Sequence, residues 1–391
     1  MTSTADQPEI RRPDFLVFSD DWGEHPSSCQ HIFRHIAKDH RVLWVNTIGM
    51  RNPTLSWADA RKVAVKVSKM LSRTREPKTA EKCPNITVCQ PFMLPGGRSR
   101  SVRAFNARSV TKKVRTLLNV LDMTNPVIVT TVPNASEYPE LLEGRKVIYY
   151  CVDDFSLWPG LDSERVRNME CRLVERCRAV VAVSDALAAK FKDCGKPISV
   201  LPHGVDLDHF GVAPNSEHPS LRDIREPRAG FFGLIDGRFD GTLVKELATR
   251  MPDVSFVFAG PTDSSVGKLP GAENLHFVGA IRYAELPSFI AGMRALILPY
   301  KVGALAKMLS PLKLKEYLAT QKPIVSSAIE ATQNWVGALS VARSPAEWEA
   351  VLRGIIALEF GARTTAIGNQ LVSHSWSARA DELLALCECG E

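Results

Sequence analysis

The sequence predicts two consecutive doubly wound α/β domains, and three observations lead there. Eleven short, β-branched apolar runs recur along the 391 residues, helix-like stretches separate them, and one aperiodic stretch, 211–228, interrupts the alternation. Runs that are apolar throughout belong to parallel strands covered on both faces, and their alternation with helices is the doubly wound pattern. In order, the runs are FLVF (15–18), VLWV (42–45), PVIVTT (126–131), KVIYYCV (146–152), AVVAV (179–183) and ISVLP (198–202). After the Pro- and charge-rich break come AGFFGLI (229–235), VSFVFAG (254–260), NLHFVG (274–279), ALILPY (295–300) and PIVSS (323–327). The reading divides the chain into a first domain over 1–205, a linker over 206–228 and a second domain over 229–365. A closing segment over 366–391 follows, with Trp376, Ala380, Leu383, Leu384 and Leu386 at near-helical spacing. Open parallel sheets take ligands at the carboxyl ends of their strands, so a ligand cleft between the two domains is expected.

Composition excludes several classes. Apolar residues at 45% and charged residues at 24% are ordinary for a globular chain and rule out disorder and fibrous repeats. Nine cysteines without a CxxC pair argue for reduced thiols and against a zinc ribbon or a disulfide framework. The N-terminus is polar and no apolar run nears the roughly 20 residues that span a bilayer, so a cytoplasmic location is expected. Charge is uneven: between Met50 and Arg115 stand sixteen Lys and Arg against three acids, a net +13 within a chain of +6. Such a concentration calls for an anionic partner.

Five segments carry candidate chemistry. In SPLKLKEYLATQKPIVSS (310–327) a loop opens a helix that ends before a buried strand. Its first turn, around Ser310 and Leu312, offers free backbone N–H groups and the positive end of the macrodipole, and Lys313 adds a point charge suited to a diphosphate. Glu316, one turn on, can accept hydrogen bonds from sugar hydroxyls; the plain alternative is a surface ion pair. Gly233 to Arg238 follows the first strand of the second domain, where glycine admits a phosphate close to the backbone and Arg238 can grip it in bidentate fashion. Asp20-Asp21-Trp22-Gly23-Glu24-His25 and Asp153-Asp154 end two strands of the first domain. An attacking hydroxyl must lose its proton, and Asp153, Asp154 or Asp21 would take it, although aspartates at strand ends also serve as caps. Gly279-Ala-Ile-Arg-Tyr283 is the fifth. No DxD triplet, metal-spaced cluster, GxGxxG or GxxxxGK[ST] is present, which gives no sign of a required metal and counts against dinucleotide enzymes and P-loop NTPases.

Segment 310–327 resembles the end of the acidic signature of GT-B glycosyltransferases of family four, and its PLKLKEYLA wording is similar to enzymes of bacterial exopolysaccharide and teichuronic acid assembly. VAVSDALAAKF (181–191), LPHGVDLDHF (201–210), FFGLIDGRFD (231–240), HFVGAIRYAELPSFI (276–290) and SWSARADELLAL (375–386) agree in order across both domains. The resemblance implies transfer of a sugar from a UDP- or GDP-sugar held by the second domain to an acceptor held by the first, with no cofactor required. It places the donor around Gly233, Arg238, Ser310, Leu312, Lys313 and Glu316 and the nucleobase near Tyr283. The loop with Trp22, Gly23 and His25 falls on the acceptor side. Where the family has a first Glu eight residues before Glu316, this chain has Met308, so retention and inversion both stay open. Two rival readings share the architecture, a nucleotide-sugar epimerase and a non-catalytic binding subunit. An epimerase leaves the +13 region unexplained.

That region includes 95–121, read as a basic amphipathic helix with Val102, Phe105, Val110, Val114, Leu117, Leu118 and Leu121 as its apolar stripe. Interleaved aromatics are too few for nucleic acid. Anionic headgroups attract each surface cation by about 1 kcal/mol, so a peripheral position at the inner face of the membrane is expected, with a polyprenyl-diphosphate-linked or other saccharide as acceptor.

Overall fold

In the computed structural model the described residues are 12–23, 27–46, 83–94, 99–158, 160–211, 214, 216–263, 266–303, 312–358 and 371–388. The chain divides into two compact units. The first comprises residues up to Pro202 together with the segment from Arg379 onward, and the second runs from His203 to Ala378.

The first unit holds a seven-stranded sheet: β1 (Phe15–Ser19), β2 (Val42–Asn46), β3 (Ile86–Cys89), β4 (Val127–Thr130), β5 (Val147–Cys151), β6 (Ala179–Ala182) and β7 (Ile198–Val200). Its order is β3-β2-β1-β4-β5-β6-β7 and every pairing is parallel. The second unit holds β8 (Arg228–Phe232), β9 (Ser255–Ala259), β10 (Leu275–Gly279), β11 (Ala295–Leu298), β12 (Ile324–Ser327) and β13 (Ser340–Ala342), ordered β10-β9-β8-β11-β12-β13 and again parallel throughout. In each sheet the order reverses beside the first strand, between β1 and β4 and between β8 and β11. Such switch points open a crevice at the carboxyl edge.

All eleven apolar runs are strands. Two strands escape that reading, β3 and β13, and both are edges whose residues are mostly half-buried. Central strands such as β1, β2 and β5 are buried at every residue, because helices cover both faces, whereas an edge needs no continuous apolar run. The stretch read as a linker is partly built into the second unit: Leu221 and Ile224 join its core, and buried Arg228 donates to the Ile224 carbonyl at 2.8 Å and to Glu217 at 2.9 Å. The closing helix spans Trp376–Glu388 and buries Trp376, Ala380, Leu383 and Cys387.

The basic helix spans Arg100–Val120. It buries Val110, Thr111, Val114 and Leu118, a narrower stripe than expected. Phe105 does not belong to it: the ring is 44% exposed and meets Phe92, itself 40% exposed, edge-on at 6.2 Å. The basic stretch 61–82 lies outside the described residues.

Candidate active site

In the second unit the polar groups gather where β8 ends. Gly233 follows Phe232 with φ of 143°, a backbone conformation that side chains avoid, and its N–H donates to the Ala259 carbonyl at 2.7 Å. Behind it Gly260 lies so close that a Cβ there would stand 1.8 Å from the Gly233 carbonyl oxygen. In front lies Lys313, for a Cβ on Gly233 would stand 1.9 Å from Lys313 Cε and 2.5 Å from Nζ. Two absent side chains therefore let the strand end, its neighbour and a cation nest together. Lys313 Nζ also sits 5.8 Å over the Phe232 ring.

Lys313 belongs to the helix Leu312–Ala319, which Tyr317 fixes to β8: its hydroxyl accepts from Phe232 N at 2.9 Å and donates to Phe232 O at 3.3 Å. Glu316, one turn beyond Lys313, keeps a partly exposed edge. Burial raises its carboxyl pKa above the usual range, and the Lys313 charge opposes that rise. Arg238 is held in a fork by Asp236, with Nε 2.8 and 2.9 Å from the two carboxylate oxygens, and its guanidinium lies 6.0 Å over the Tyr300 ring. Burial pushes the Tyr300 phenol up to about 12; Arg238 lowers it, while Asp236 and Glu316 raise it, so these charges share one field. Asp236 thus pre-orients Arg238 and occupies part of the bidentate grip expected for phosphate. Gly279, with φ of 78°, accepts from Gly260 N at 2.7 Å and extends the same edge. Tyr283 stacks on His209 at 4.2 Å and lies edge-on to Phe210, which makes it a packed ring. Leu312 opens the helix, and Ser310 and Met308 lie outside the described residues.

Sequence reading missed Lys315. Two residues from Lys313 it faces the other side of the helix, is buried, donates to the His203 carbonyl and stands 3.3 Å from His374 Nδ1. Burial, reinforced by Lys315, lowers the His203 pKa to about 4.

In the first unit the carboxyl edge carries aspartates instead. Asp20 is consumed by structure: its carboxylate accepts from Ser19 Oγ at 2.7 Å, Ser27 Oγ at 3.0 Å and Gln30 Nε2 at 2.7 Å, and its carbonyl accepts from Trp44 Nε1. Asp21 is half-buried and its carbonyl accepts from Gln30. Trp22, expected on the acceptor side, is 6% exposed and packs edge-on against Trp44 at 4.7 Å. Gly23 N donates to Gln30 Oε1, and His25 lies outside the described residues.

At the end of β5 the two adjacent aspartates have opposite surroundings. Asp154 caps the turn Phe155–Leu157, accepting from Ser156 N at 3.0 Å and Ser156 Oγ at 2.7 Å, and receives Lys190 Nζ at 2.9 Å. Lys190 also reaches buried Glu170 at 2.7 Å, which accepts from Tyr149 at 2.8 Å. Burial alone would raise the Asp154 pKa, but the bonds from Ser156 and Lys190 outweigh it and lower the value. Asp153 is exposed. One of its oxygens accepts from Asp154 N at 2.7 Å and the other from Trp158 Nε1 at 2.9 Å. No cluster of three or more His, Cys, Asp or Glu with metal-holding geometry occurs among the described residues.

Two doubly wound parallel sheets in succession, each with a polar carboxyl edge, have the fold of the GT-B glycosyltransferases. Within that class, residues 57–209 match glycosyltransferase family 4. Over 222 residues, 52% of this chain, the sequence is 27% identical to TuaH of Bacillus subtilis, a protein assigned as a teichuronic acid biosynthesis glycosyltransferase; the match spans 55% of that relative's length. Among solved structures, sucrose-phosphate synthase from Thermosynechococcus elongatus superposes with a TM-score of 0.63 at 14% identity, covering 96% of this chain and 98% of that one. HepE of Anabaena, in complex with UDP and glucose, gives 0.62 at 14% identity, with 97% and 100% covered. A trehalose-6-phosphate enzyme of E. coli bound with UDP-2-fluoro glucose gives 0.64 at 12% identity, with 97% and 99% covered.

Proposed function

We propose that this chain is a glycosyltransferase that moves a sugar from a nucleotide-diphosphate sugar to a saccharide or lipid-linked acceptor in the synthesis of bacterial surface or exopolysaccharide. The observation that carries the reading is Lys313 laid against the side-chain-free face of Gly233 at the switch point of the second sheet. A cation held against a side-chain-free strand end suits a diphosphate, and Arg238 braced by Asp236 supplies a second positive charge. Glu316 accepts hydrogen bonds from the sugar. The solved neighbours that hold UDP and glucose or a UDP-sugar support UDP as the nucleotide. In the first unit Asp153 receives the acceptor hydroxyl and takes its proton, whereas Asp154 is committed to Lys190. Incubation with a panel of UDP- and GDP-sugars and polyprenyl-diphosphate-linked saccharides tests the reading. Release of nucleotide with product formation is expected, and turnover of the donor without an acceptor product would point to an epimerase or hydrolase. Retention of the donor's anomeric configuration in the product would overturn the base role of Asp153.

The acceptor reading extends to a membrane surface. The helix Arg100–Val120 carries six cations and no acid, and exposed Arg108 and Lys112 form no salt bridge among the described residues. Exposed Phe92, Leu94 and Phe105 adjoin its first turns. Cations beside exposed rings suit anionic lipid headgroups. No helix among the described residues is long and apolar enough to cross a membrane. Co-sedimentation with anionic vesicles that falls with salt and is absent with neutral lipid is expected; binding indifferent to both would refute it.

A further inference from the structure

Trp158 is a large apolar residue left 39% exposed beside Leu157, which is 57% exposed, at the carboxyl edge of β5. Water would satisfy an indole N–H at such a position. Instead Nε1 donates to Asp153 Oδ2 at 2.9 Å, while the other oxygen of the same carboxylate accepts from Asp154 N at 2.7 Å. The arrangement is braced from below. Trp158 N donates to the Phe155 carbonyl at 3.2 Å, its ring packs on Phe155 at 5.0 Å, and Phe155 is anchored on Val166 and Met169. Asp154, pinned by Ser156 and Lys190, fixes the turn that carries both. An exposed carboxylate thus has each oxygen tied once, with its remaining lone pairs open to a ligand, next to an aromatic ring on a rigid turn.

We propose that Trp158 and Asp153 together form a pyranoside-binding subsite, in which the indole takes the apolar C–H face of the acceptor sugar and its N–H positions Asp153 to accept that sugar's hydroxyl. This inference rests on the glycosyl-transfer reading for its role, though the subsite itself is a binding device. Sugars present alternating C–H and O–H surfaces, and an aromatic ring beside a hydrogen-bond acceptor matches both. Among the described residues Trp22 and Trp44, which lie by the carboxyl-edge aspartate Asp20, are both buried and offer no such ring.

The test uses the full chain labelled with 15N-tryptophan, whose seven indole N–H resonances include Trp158, identified by its loss in Trp158→Phe. Asp153→Asn should move the Trp158 resonance and leave the other six in place. Titration with methyl glycosides of glucose, galactose, mannose and glucuronic acid should shift it with at least one sugar. A Trp158 resonance indifferent to Asp153→Asn, or to every glycoside, overturns the proposal. In turnover, Trp158→Phe keeps the ring and loses the N–H, so kcat should fall about 10-fold with acceptor KM nearly unchanged, the scale of one hydrogen bond to a charged group. Trp158→Leu loses both and should raise acceptor KM as well. Equal effects of the two variants on KM and kcat would mark a merely structural residue. Normal transfer with a silent Trp158 resonance would sink the subsite alone. A resonance that answers sugars in a protein that turns over no nucleotide sugar would sink the transferase reading and leave the subsite standing.

Discussion

The carboxyl edges of the two sheets solve different problems with the same topology. In the second unit the edge is built by subtraction: Gly233 and Gly260 omit side chains so that backbone and Lys313 crowd together. In the first unit it is built by addition, with Asp20, Asp154, Glu170 and Lys190 tied into hydrogen-bonded networks and Asp153 left at the surface. An edge where glycine backbone and Lys313 crowd together, with Arg238 braced by Asp236, is suited to anions. An edge of fixed carboxylates is suited to hydroxyls. The difference teaches that a switch point supplies only the place, and the side chains around it choose the ligand's charge.

The comparison breaks most sharply at Asp153. Asp153→Asn should cut transfer by about 10²- to 10⁴-fold, the usual contribution of a general base, with binding of UDP by the second unit unchanged in calorimetry. Equal loss in Asp154→Asn without loss of thermal stability would erase the distinction drawn between the two aspartates. On the other edge, Lys313→Ala should lower catalytic efficiency about 10- to 200-fold, since a charge-assisted bond is worth roughly 1.5–3 kcal/mol. Gly233→Ala should do at least as much, because the added methyl displaces Lys313 and strains a backbone at φ of 143°. Wild-type donor affinity in either variant would remove the diphosphate from this edge.

Smaller effects sharpen the contrast. Glu316 is held with a raised pKa, so its ionisation costs the fold as pH climbs above the ordinary glutamate value of 4.5. Glu316→Gln should therefore leave the melting temperature at neutral pH equal or higher while turnover falls. A lower melting temperature would show that the carboxylate is structural. A second pH effect concerns His203, whose pKa is lowered from 6.5 to about 4. Between those values the unfolded chain takes up a proton that the folded one refuses, so stability contributed by the neutral imidazole is present above pH 6.5 and is lost as pH falls toward 4. His203→Gln should flatten that part of the melting profile measured from pH 7 to 4.

Most of the fold was legible because central parallel strands are buried at every position and so are largely apolar, as β1, β5 and β8 are apart from Ser19 and Arg228 at their ends. Edge strands β3 and β13 obey no such demand and left no signal. The site was legible in outline where spacing carries it: Lys313 and Glu316 sit one turn apart on any helix. What separates Asp153 from Asp154 is Lys190, 36 residues beyond Asp154, and no local pattern announces a partner at that distance. Lys315 was overlooked for the same reason, since its partners His203 and His374 lie far along the chain. Trp22 and Trp158 look alike in sequence, each shortly after an acidic pair, and only packing buries one and exposes the other.

The return of the segment from Arg379 onward to the first unit sets an order of events during synthesis. Arg379, Ala380, Leu383 and Cys387 are buried, and Arg379 and Cys387 lie within electrostatic reach of Tyr150 and Lys146 respectively, residues made more than two hundred positions earlier. A ribosome that has finished the first 202 residues has therefore not finished the first unit. The second unit can close while the nascent first one still lacks its last helix, so the part synthesised first is completed last. Anyone wishing to express the first unit alone must carry that helix across the cut.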